Sequence, residues 1–205
     1  NIVMGLVKAD EGDILVGGES IRKLPTYKRV RKGLAYLMQE HCLITDMTAR
    51  ENLIGIMQLL KVPKAEIKAR AASLLDEFHI VNVADTKAEN LSGGEKRRLE
   101  IALSLLTNPK FFLFDEPFTG TDPKTIVELR ERIRRFRSEG IGVLIVDHHV
   151  REIVREADRI VVLNEGRKVF DGTPEMFTTD PGVRESYLGT YLDDVVTDIQ
   201  KNGLL

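Results

Sequence analysis

The sequence predicts a three-layer α/β domain in which helices cover both faces of a largely parallel sheet. Two observations support this prediction. Short β and α segments alternate in the second half of the chain, and the strands there are almost wholly apolar. A block of two helices interrupts the alternation, which predicts a helical subdomain at residues 46–90, inserted within one domain of residues 1–205.

The first predicted elements are short. A Gly-Gly pair between apolar runs predicts a tight hairpin at Gly12 to Ile21. A polar helix is expected around Tyr27 to Lys32, followed by an alternating strand at Leu34 to Gln39. The opening residues, Asn1 to Leu6, resemble the end of a helix and do not start with methionine.

The inserted block carries clear helix signals. Thr48 and Glu51 match a capping box before an apolar stretch, and Pro63 is expected to end that helix. A second amphipathic helix is predicted because apolar residues recur at helical spacing, at Ile67, Ala71, Leu74, Leu75 and Phe78.

Beyond this block the pattern becomes regular. Asp122 and Pro123 match the N-cap and first position of a helix, and the tail past Pro174 is expected to be helical and peripheral. The predicted elements are a helix at Glu95 to Leu106, a strand at Lys110 to Phe114, a helix at Pro123 to Phe136, a strand at Gly142 to Asp147 and a hairpin at Arg159 to Gly172.

Composition excludes several classes of protein. Thirty basic and 32 acidic residues give a net charge of -2, so no overall field favours nucleic acid as a partner. Since Cys42 is the one cysteine, the chain forms no internal disulfide and no cysteine-only zinc site, and a cytoplasmic setting is expected. The longest apolar runs, such as Val143 to Val146, fall far short of the ~20 residues that span a bilayer.

Two adjacent carboxylates, Asp115 and Glu116, follow an apolar strand. Ligands bind at the carboxyl ends of strands in open α/β sheets, where paired carboxylates suit a metal ion and a water. Gln39 ends an earlier predicted strand and His148 follows a later one, so these four side chains are expected at one sheet edge. Taken singly, an Asp-Glu pair is more often a cap for the next turn, and a lone histidine is more often structural.

The stretch LSGGE, Leu91 to Glu95, leads into a helix. Ser92 and Glu95 alone match a capping box that needs no ligand. Two consecutive glycines cost stability at a helix start unless something approaches the backbone closely, so Gly93 and Gly94 indicate a site for an anion. A phosphate-gripping loop should accompany such a site, but the dipeptide Gly-Lys that this loop requires does not occur in the 205 residues.

Five motifs in this order resemble those of the ATP-binding cassette (ABC) ATPases, over nearly the whole chain. They are Gln39 as the Q-loop, LSGGE at Leu91 to Glu95 as the signature, FFLFDEP at Phe111 to Pro117 as Walker B, GTDP at Gly120 to Pro123 as the D-loop, and DHH at Asp147 to His149 as the switch histidine. The resemblance implies a P-loop NTPase-like fold whose Walker A loop and first strands are missing upstream. This stretch alone is therefore expected to bind ATP poorly.

The resemblance also implies cofactors, site residues and partners. ATP and Mg²⁺ are the implied cofactors, with the metal ion near Asp115 and Gln39, and the implied catalytic groups are Glu116, His148 and Gln39. A second copy of the chain, in a head-to-tail homodimer, would present its ATP to Ser92, Gly93, Gly94, Glu95 and Asp122. Ser92 is accordingly expected to face away from the acids of its own chain. Integral membrane subunits would bind beside Gln39 and hold the ATPase at the inner face of the cytoplasmic membrane.

Within the family, LSGGEKRRLEIA, VLIVDHHVRE and VRESYLG resemble the ATPases that drive lipopolysaccharide export to the outer membrane. Branched-chain amino-acid importers are the alternative, although they more typically carry glutamine where this chain has Glu95. Intact Glu116 and His148 disfavour a non-hydrolysing regulatory cassette. The lack of long insertions or a second cassette disfavours a soluble ATPase of DNA repair or translation. The tail from Thr190 to Leu205 has no counterpart in the resemblance.

Overall fold

The computed structural model describes residues 1–183, which form two units that divide after Val146. Residues 46–90 hold two α-helices and two short 3₁₀ turns. The elements of the first unit are β1 (Leu15–Val16), β2 (Glu19–Ser20), α1 (Thr26–Arg31), β3 (Leu34–Leu37), α2 (Ala49–Leu59), α3 (Lys64–Glu77), α4 (Gly93–Leu105), β4 (Phe111–Asp115), α5 (Pro123–Ser138) and β5 (Gly142–Val146).

A parallel sheet in the order β3-β4-β5 forms the centre of the first unit. Leu37 of β3 lies opposite Phe114 of β4, which lies opposite Ile145 of β5. Because both pairings are parallel, the carboxyl ends of the three strands meet at one edge. The predicted α/β fold with a parallel sheet is confirmed, and the hairpin of β1 and β2 is antiparallel as expected.

Strand β4 is buried on both faces. Phe112 stacks on Phe114 with ring centroids 4.8 Å apart and on Phe136 of α5 at 5.1 Å. On the other face, Leu113 joins a buried cluster with Met4, Ile21 and Leu34. Burial on both faces explains why the sequence of β4 is a continuous apolar run.

Cover by helices is less complete over β5 than the sequence predicted. Leu144 and Val146 are 52% and 59% exposed. Both belong to the last strand of the described sheet, which pairs with β4 along one side only. The prediction of cover on both faces therefore applies to the central strand and not to this edge.

The predicted strand end at Gln39 is wrong. Strand β3 stops at Leu37, and Gln39 lies in a bend two residues farther on. The reason is that the Met38 carbonyl accepts a hydrogen bond from Arg97 Nη1 at 2.6 Å, which draws the backbone away from the sheet. Gln39 thus projects from a loop anchored to α4.

The predicted role of Pro63 is also wrong. Helix α2 already ends at Leu59, where Lys61 adopts a left-handed conformation with φ 58° and its N–H bonds to the Gln58 carbonyl. Pro63 is instead the N-cap of α3, where the fixed φ of proline suits a helix start. The Thr48–Glu51 capping box that opens α2 is confirmed.

The second unit begins at Asp147 and contains an antiparallel hairpin, as predicted. Its elements are α6 (Val150–Glu156), β6 (Ile160–Asn164), β7 (Arg167–Gly172), α7 (Pro174–Thr179) and a short turn of helix at Pro181–Val183. They enclose a cluster of buried apolar side chains, Val150, Val154, Ile160, Val162, Phe170, Phe177 and Val183. The tail from Thr190 to Leu205 lies outside the described residues. None of the helices in residues 1–183 is long and apolar enough to cross a membrane.

The first six residues have the hydrogen bonds that close the end of a helix. Gly5 N–H bonds to the Ile2 carbonyl at 3.0 Å and Leu6 N–H to the Asn1 carbonyl at 3.1 Å, with Gly5 at φ 76°. Arg29 of α1 donates to the carbonyls of Ile2 and Val3, both at 2.7 Å. The Arg29 side chain is buried, and this cation adds a second hydrogen bond at the Ile2 carbonyl and one at the Val3 carbonyl, where a helix end favours positive charge.

Substitution of Gly5 by alanine is expected to destabilise the first unit. A Cβ there would lie 2.8 Å from Arg29 Nε, and the φ of 76° adds a backbone penalty. Gly12 has nearly the same φ, 77°, but a Cβ there meets nothing within 4 Å, so Gly12→Ala measures the backbone penalty alone, about 1–2 kcal/mol. Gly5→Ala should cost at least ~1 kcal/mol more, because the hydrogen bonds of a buried guanidinium must shift. Urea unfolding measures both, and equal costs would show that Arg29 moves freely.

Candidate active site

The chain leaves the sheet sharply at Glu116. Asp115 is the last residue of β4 and pairs with Val146, and the Glu116 N–H donates to the Val146 carbonyl at 2.7 Å. Glu116 then has φ 45°, in the left-handed region that a residue other than glycine seldom adopts. A strained conformation at the end of a strand is typical of functional sites. Because the backbone turns here, the side chains of Asp115 and Glu116 point in different directions.

Asp115 is held by a tyrosine that the sequence analysis did not identify. Tyr36 Oη donates to Asp115 Oδ2 at 2.6 Å. Burial, together with the hydrogen bond to Asp115 and the negative charge of that carboxylate, raises the pKa of Tyr36 to about 12, so the phenol stays a donor at neutral pH. Tyr36 lies opposite Leu113, two residues before Asp115, which places both side chains on one face of the sheet. The sequence alone does not give the register between β3 and β4, which is needed to find that Tyr36 and Asp115 meet.

Glu116 meets Gln39, as the sequence predicted. Gln39 Nε2 donates to Glu116 Oε2 at 3.1 Å, and Thr119 Oγ1 donates to the same oxygen at 3.2 Å. Gln39 reaches this position from its loop beyond β3, and Thr119 from the segment that follows β4. The carboxylate is therefore oriented by two donors from different parts of the chain.

The start of α4 is a capping box, as predicted. Ser92 Oγ donates to Glu95 Oε2 at 2.7 Å, and the Ser92 N–H donates to the same oxygen at 2.8 Å. These two hydrogen bonds hold the pKa of Glu95 below its usual range. The capping box explains Ser92 and Glu95 without a ligand.

The two glycines at this helix start have different surroundings. A Cβ on Gly94 would lie 3.1 Å from Thr125 Oγ1 of α5, so close packing of the two helix starts favours glycine there. A Cβ on Gly93 would meet nothing within 4 Å. Packing accounts for Gly94 but leaves Gly93 as an open backbone position, which is what a phosphate group needs at a helix N-terminus.

Asp122 caps α5. Its Oδ1 accepts the N–H groups of Lys124 and Thr125 at 3.0 and 3.1 Å, and its Oδ2 accepts Thr125 Oγ1 at 2.6 Å. The hydrogen bonds from Thr125 are the main reason that the pKa of Asp122 lies below its usual range. The N-cap at Asp122 and the first helical position at Pro123 match the sequence prediction.

One groove of about 500 Å³ joins these groups, and Gln39, Ser92, Gly93, Glu116 and Asp122 all line it. Ser92 and Glu116 both line this groove, and the expectation that Ser92 faces away from the acids stays a prediction. The close approach of the α4 and α5 starts explains the shared groove, because the segment after β4 runs beside the α4 N-terminus. Ser92 Oγ itself donates to Glu95 Oε2.

His148 lies at the start of the second unit, and its predicted convergence with Glu116 stays a prediction. Asp147 accepts hydrogen bonds from the backbone N–H of His149 at 2.9 Å and pairs with its Nδ1 at 2.6 Å. The His148 ring lies against that of His149, with centroids 4.4 Å apart, and its side chain is 60% exposed. One nitrogen or oxygen atom of each of these three side chains, of the kind that can bind a metal ion, lies within 4.8 Å of the other two.

Comparison with known proteins agrees with this geometry. A family profile described as ABC transporter matches residues 1–119. Lipopolysaccharide export system ATP-binding protein LptB from Acidithiobacillus ferridurans is 42% identical over 92% of this chain and 78% of its own length, and LptB from Escherichia coli K12 is 39% identical over the same shares.

Solved structures give the same result. The ADP conformation of MJ1267, an ATP-binding cassette of an ABC transporter, superposes with a TM-score of 0.78 at 26% identity, covering 92% of this chain and 81% of that one. CbiO1 from Clostridium perfringens, part of the ABC transporter complex cbiONQ, gives 0.76 at 25% identity, covering 96% and 80%.

The chain belongs to the ABC transporter family. It is an ATP-binding subunit of that family, whose cassettes bind nucleotide, hydrolyse ATP, dimerise and work with membrane subunits. The assignment of Gln39 to the Q-loop, of Ser92 to Glu95 to the signature, and of Asp115 and Glu116 to Walker B stays a prediction from the sequence motifs.

The carboxylate of Asp115 fits the Mg²⁺ that ABC ATPases typically use. Its one side-chain hydrogen bond among the described residues uses Oδ2, which leaves Oδ1 as a hard oxygen donor of the kind that Mg²⁺ prefers. Gln39 Oε1 is a further candidate oxygen, since Gln39 bonds to Glu116 through Nε2 and lines the groove next to the end of β4. The residues present are therefore compatible with the ion.

Tyr36→Phe tests the pKa of the Tyr36 phenol. Because the folded-state pKa of about 12 exceeds the ordinary 10.0, the Tyr36 contribution to stability is fully present below about pH 10 and is lost as pH rises toward 12. The difference in unfolding free energy between the parent and Tyr36→Phe should stay constant up to about pH 10 and shrink above it. Urea unfolding at several pH values measures it, with Tyr27→Phe at an exposed position as control. A difference that does not change up to pH 11 would contradict the raised pKa.

Proposed function

We propose that this chain is the ATP-hydrolysing subunit of a transporter that exports lipopolysaccharide to the outer membrane. The observation that carries the proposal is the 39–42% identity to lipopolysaccharide export ATP-binding proteins over 92% of the chain. The identity extends beyond the family's shared fold, which solved ABC cassettes match at 25–28% identity. The sequences at Glu95 and at Asp147 to His149 also depart from those typical of amino-acid importers.

In the proposed reaction, Glu116 orients and polarises the water that attacks the γ-phosphate. The hydrogen bonds from Gln39 and Thr119 fix its carboxylate, and its open groove admits water. Asp115, oriented by Tyr36, and Gln39 would hold Mg²⁺. Mg²⁺ would neutralise phosphate charge, which together with positioning accounts for most of the catalysis of phosphoryl transfer. His148 contacts the γ-phosphate.

The proposed active form is a head-to-tail homodimer. Ser92, Gly93, Gly94, Glu95 and Asp122 of one copy contact the ATP held by the Walker A loop of the other. The open backbone position at Gly93 supports this assignment, since α4 is 13 residues long and its N-terminus presents free N–H groups to an anion. Residues 46–90 act as the helical subdomain that carries this end of α4 toward the partner.

Integral membrane subunits are the proposed partners on the other side of the helical subdomain, which places the ATPase at the inner face of the cytoplasmic membrane. Four apolar side chains of residues 44–60 are exposed: Ile44 at 48%, Met47 at 38%, Leu59 at 78% and Leu60 at 44%. Leu59 and Leu60 are adjacent, and an exposed apolar surface at the end of α2 favours contact with another protein. These four residues follow the Gln39 loop in the chain, so a partner bound to their side chains can move that loop.

Glu116→Gln is expected to lower ATP hydrolysis by ~10²- to 10⁴-fold, because the amide cannot polarise the attacking water. ATP binding should survive, since Asp115 and the phosphate grip are unchanged. The assay is steady-state ATPase activity with ATP binding measured in parallel, in a chain that includes the Walker A loop. Hydrolysis at the parental rate would show that another group is the base.

Ser92→Arg is the complementary variant in the same chain. Its long cation would fill the open position beside Gly93 and obstruct the partner's phosphate, so ATP-dependent dimerisation should be lost while monomers still bind ATP. Size-exclusion chromatography with ATP, in the slowly hydrolysing Glu116→Gln background, reports the dimer. If the dimer still forms, the LSGGE segment is only a helix cap.

The partner is tested by crosslinking from Leu59→Cys in a Cys42→Ser background, which leaves the new thiol as the one reactive cysteine of residues 1–205. Capture of a lipopolysaccharide-export membrane subunit in the assembled complex is expected, with Arg70→Cys on the exposed side of α3 as a control that captures none. Mass spectrometry identifies the product. An amino-acid permease subunit in its place would favour the importer alternative.

A further inference from the structure

The loop that carries Gln39 is attached to α4 on both sides of this residue. Before it, the Met38 carbonyl accepts Arg97 Nη1 at 2.6 Å. After it, the Cys42 N–H donates to Glu100 Oε1 at 2.7 Å, and His41 Nδ1 lies 3.1 Å from Glu100 Oε2. Two neighbouring side chains of one helix thus bind the loop within three residues of Gln39 in either direction.

These two anchors are buried. The side chains of Arg97 and Glu100 are 10% and 7% exposed, and they lie 3.6 Å from each other, one turn apart on the same face of α4. Burial lowers the pKa of Arg97, while Glu100 counteracts this shift. A buried ion pair requires its remaining donors and acceptors to be satisfied, and here the Gln39 loop satisfies them. Displacing the loop would remove a hydrogen-bond partner from each of these buried charged groups, so the loop follows α4.

Helix α4 also carries the signature at its N-terminus. Arg97 and Glu100 lie four and seven residues beyond Gly93, which is about 6 and 10 Å along a helix that rises 1.5 Å per residue. A rigid helix therefore connects the Ser92–Gly94 end to the Gln39 loop. Gln39 in turn donates to Glu116. The chain of contacts runs from α4 through the loop to the carboxylate.

We propose that Arg97 and Glu100 are positioning residues for catalysis, which set the place of Gln39, and through it that of Glu116, according to the position of α4. Contact of the partner's phosphate with Ser92 and Gly93 would fix α4, and α4 would then hold Gln39 against Glu116. This inference rests on the proposed function, because it takes Glu116 as the group that orients water. It assigns to Glu100, which the five family motifs do not include, the link between the signature and the catalytic groups.

A second ion pair of α4 provides a matched control. Arg98 Nη1 donates to Glu128 Oε2 at 2.8 Å and connects α4 to α5. Neither residue bonds to the Gln39 loop. Glu128→Gln therefore weakens an ion pair of the same helix without releasing Gln39, whereas Glu100→Gln weakens the attachment of the loop and keeps the side-chain volume.

Steady-state kinetics of the chain with its Walker A loop separates positioning from stability. Glu100→Gln should lower kcat for ATP about 10-fold with KM changed less than about 2-fold, since a small misplacement of a catalytic group is enough for such a loss. In a Gln39→Ala background the same substitution should have no further effect on kcat, because the group through which Glu100 acts is gone. Glu128→Gln should leave kcat within about 2-fold of the parent in both backgrounds.

A readout without ATP tests the attachment directly. The Cys42 amide should exchange its hydrogen at least several-fold faster in Glu100→Gln than in the parent, while the α4 amides exchange at the parental rate. In Glu128→Gln, the Cys42 amide should also exchange at the parental rate. Unchanged Cys42 exchange, or equal loss of kcat in the presence and absence of Gln39, would overturn the inference. If Glu116→Gln hydrolyses ATP normally while Cys42 exchange rises, the proposed catalytic role of Glu116 fails and the attachment stands.

Discussion

The site depends on the hydrogen bond between the Glu116 N–H and the Val146 carbonyl, which ends the pairing of β4 with β5. It holds Asp115 in the sheet and forces Glu116 out of it at φ 45°. Asp115 therefore faces Tyr36 on the sheet surface, while Glu116 reaches Gln39 and Thr119. Two adjacent acids acquire different partners, and hence different chemistry, because the backbone turns between them.

Helix α4 combines two requirements that the sequence presents separately. At its start, the capping box satisfies the N–H groups of Ser92 and Glu95, and Gly93 keeps the backbone open. Two turns later, Glu100 is buried against the Gln39 loop. An exposed capping box tolerates change, whereas a buried carboxylate does not, because leaving it without partners costs several kcal/mol. The helix is therefore adaptable at its start and fixed in its middle.

Local signals made much of the fold predictable. The capping boxes at Thr48 and Ser92 and the cap at Asp122 depend on residues three or fewer positions apart, so a linear pattern contains all the information they need. The same holds for the apolar run of β4, which is buried on both faces. The errors fell where a distant residue decides the outcome. Strand β3 stops early because Arg97, 59 positions from Met38, binds the Met38 carbonyl.

By itself the sequence determined the α/β class, the order of helices and strands, the ABC motifs and the presence of Asp115 and Glu116 at a strand end. Period-two and helical spacing, cap residues and motif order are properties of the linear chain. Only the tertiary structure decided that Tyr36 orients Asp115, that Ser92 and Glu116 line one groove, and that Glu100 holds the loop of Gln39. The physical reason is that strand register and helix packing choose which distant side chains meet, and neither is recorded in local spacing.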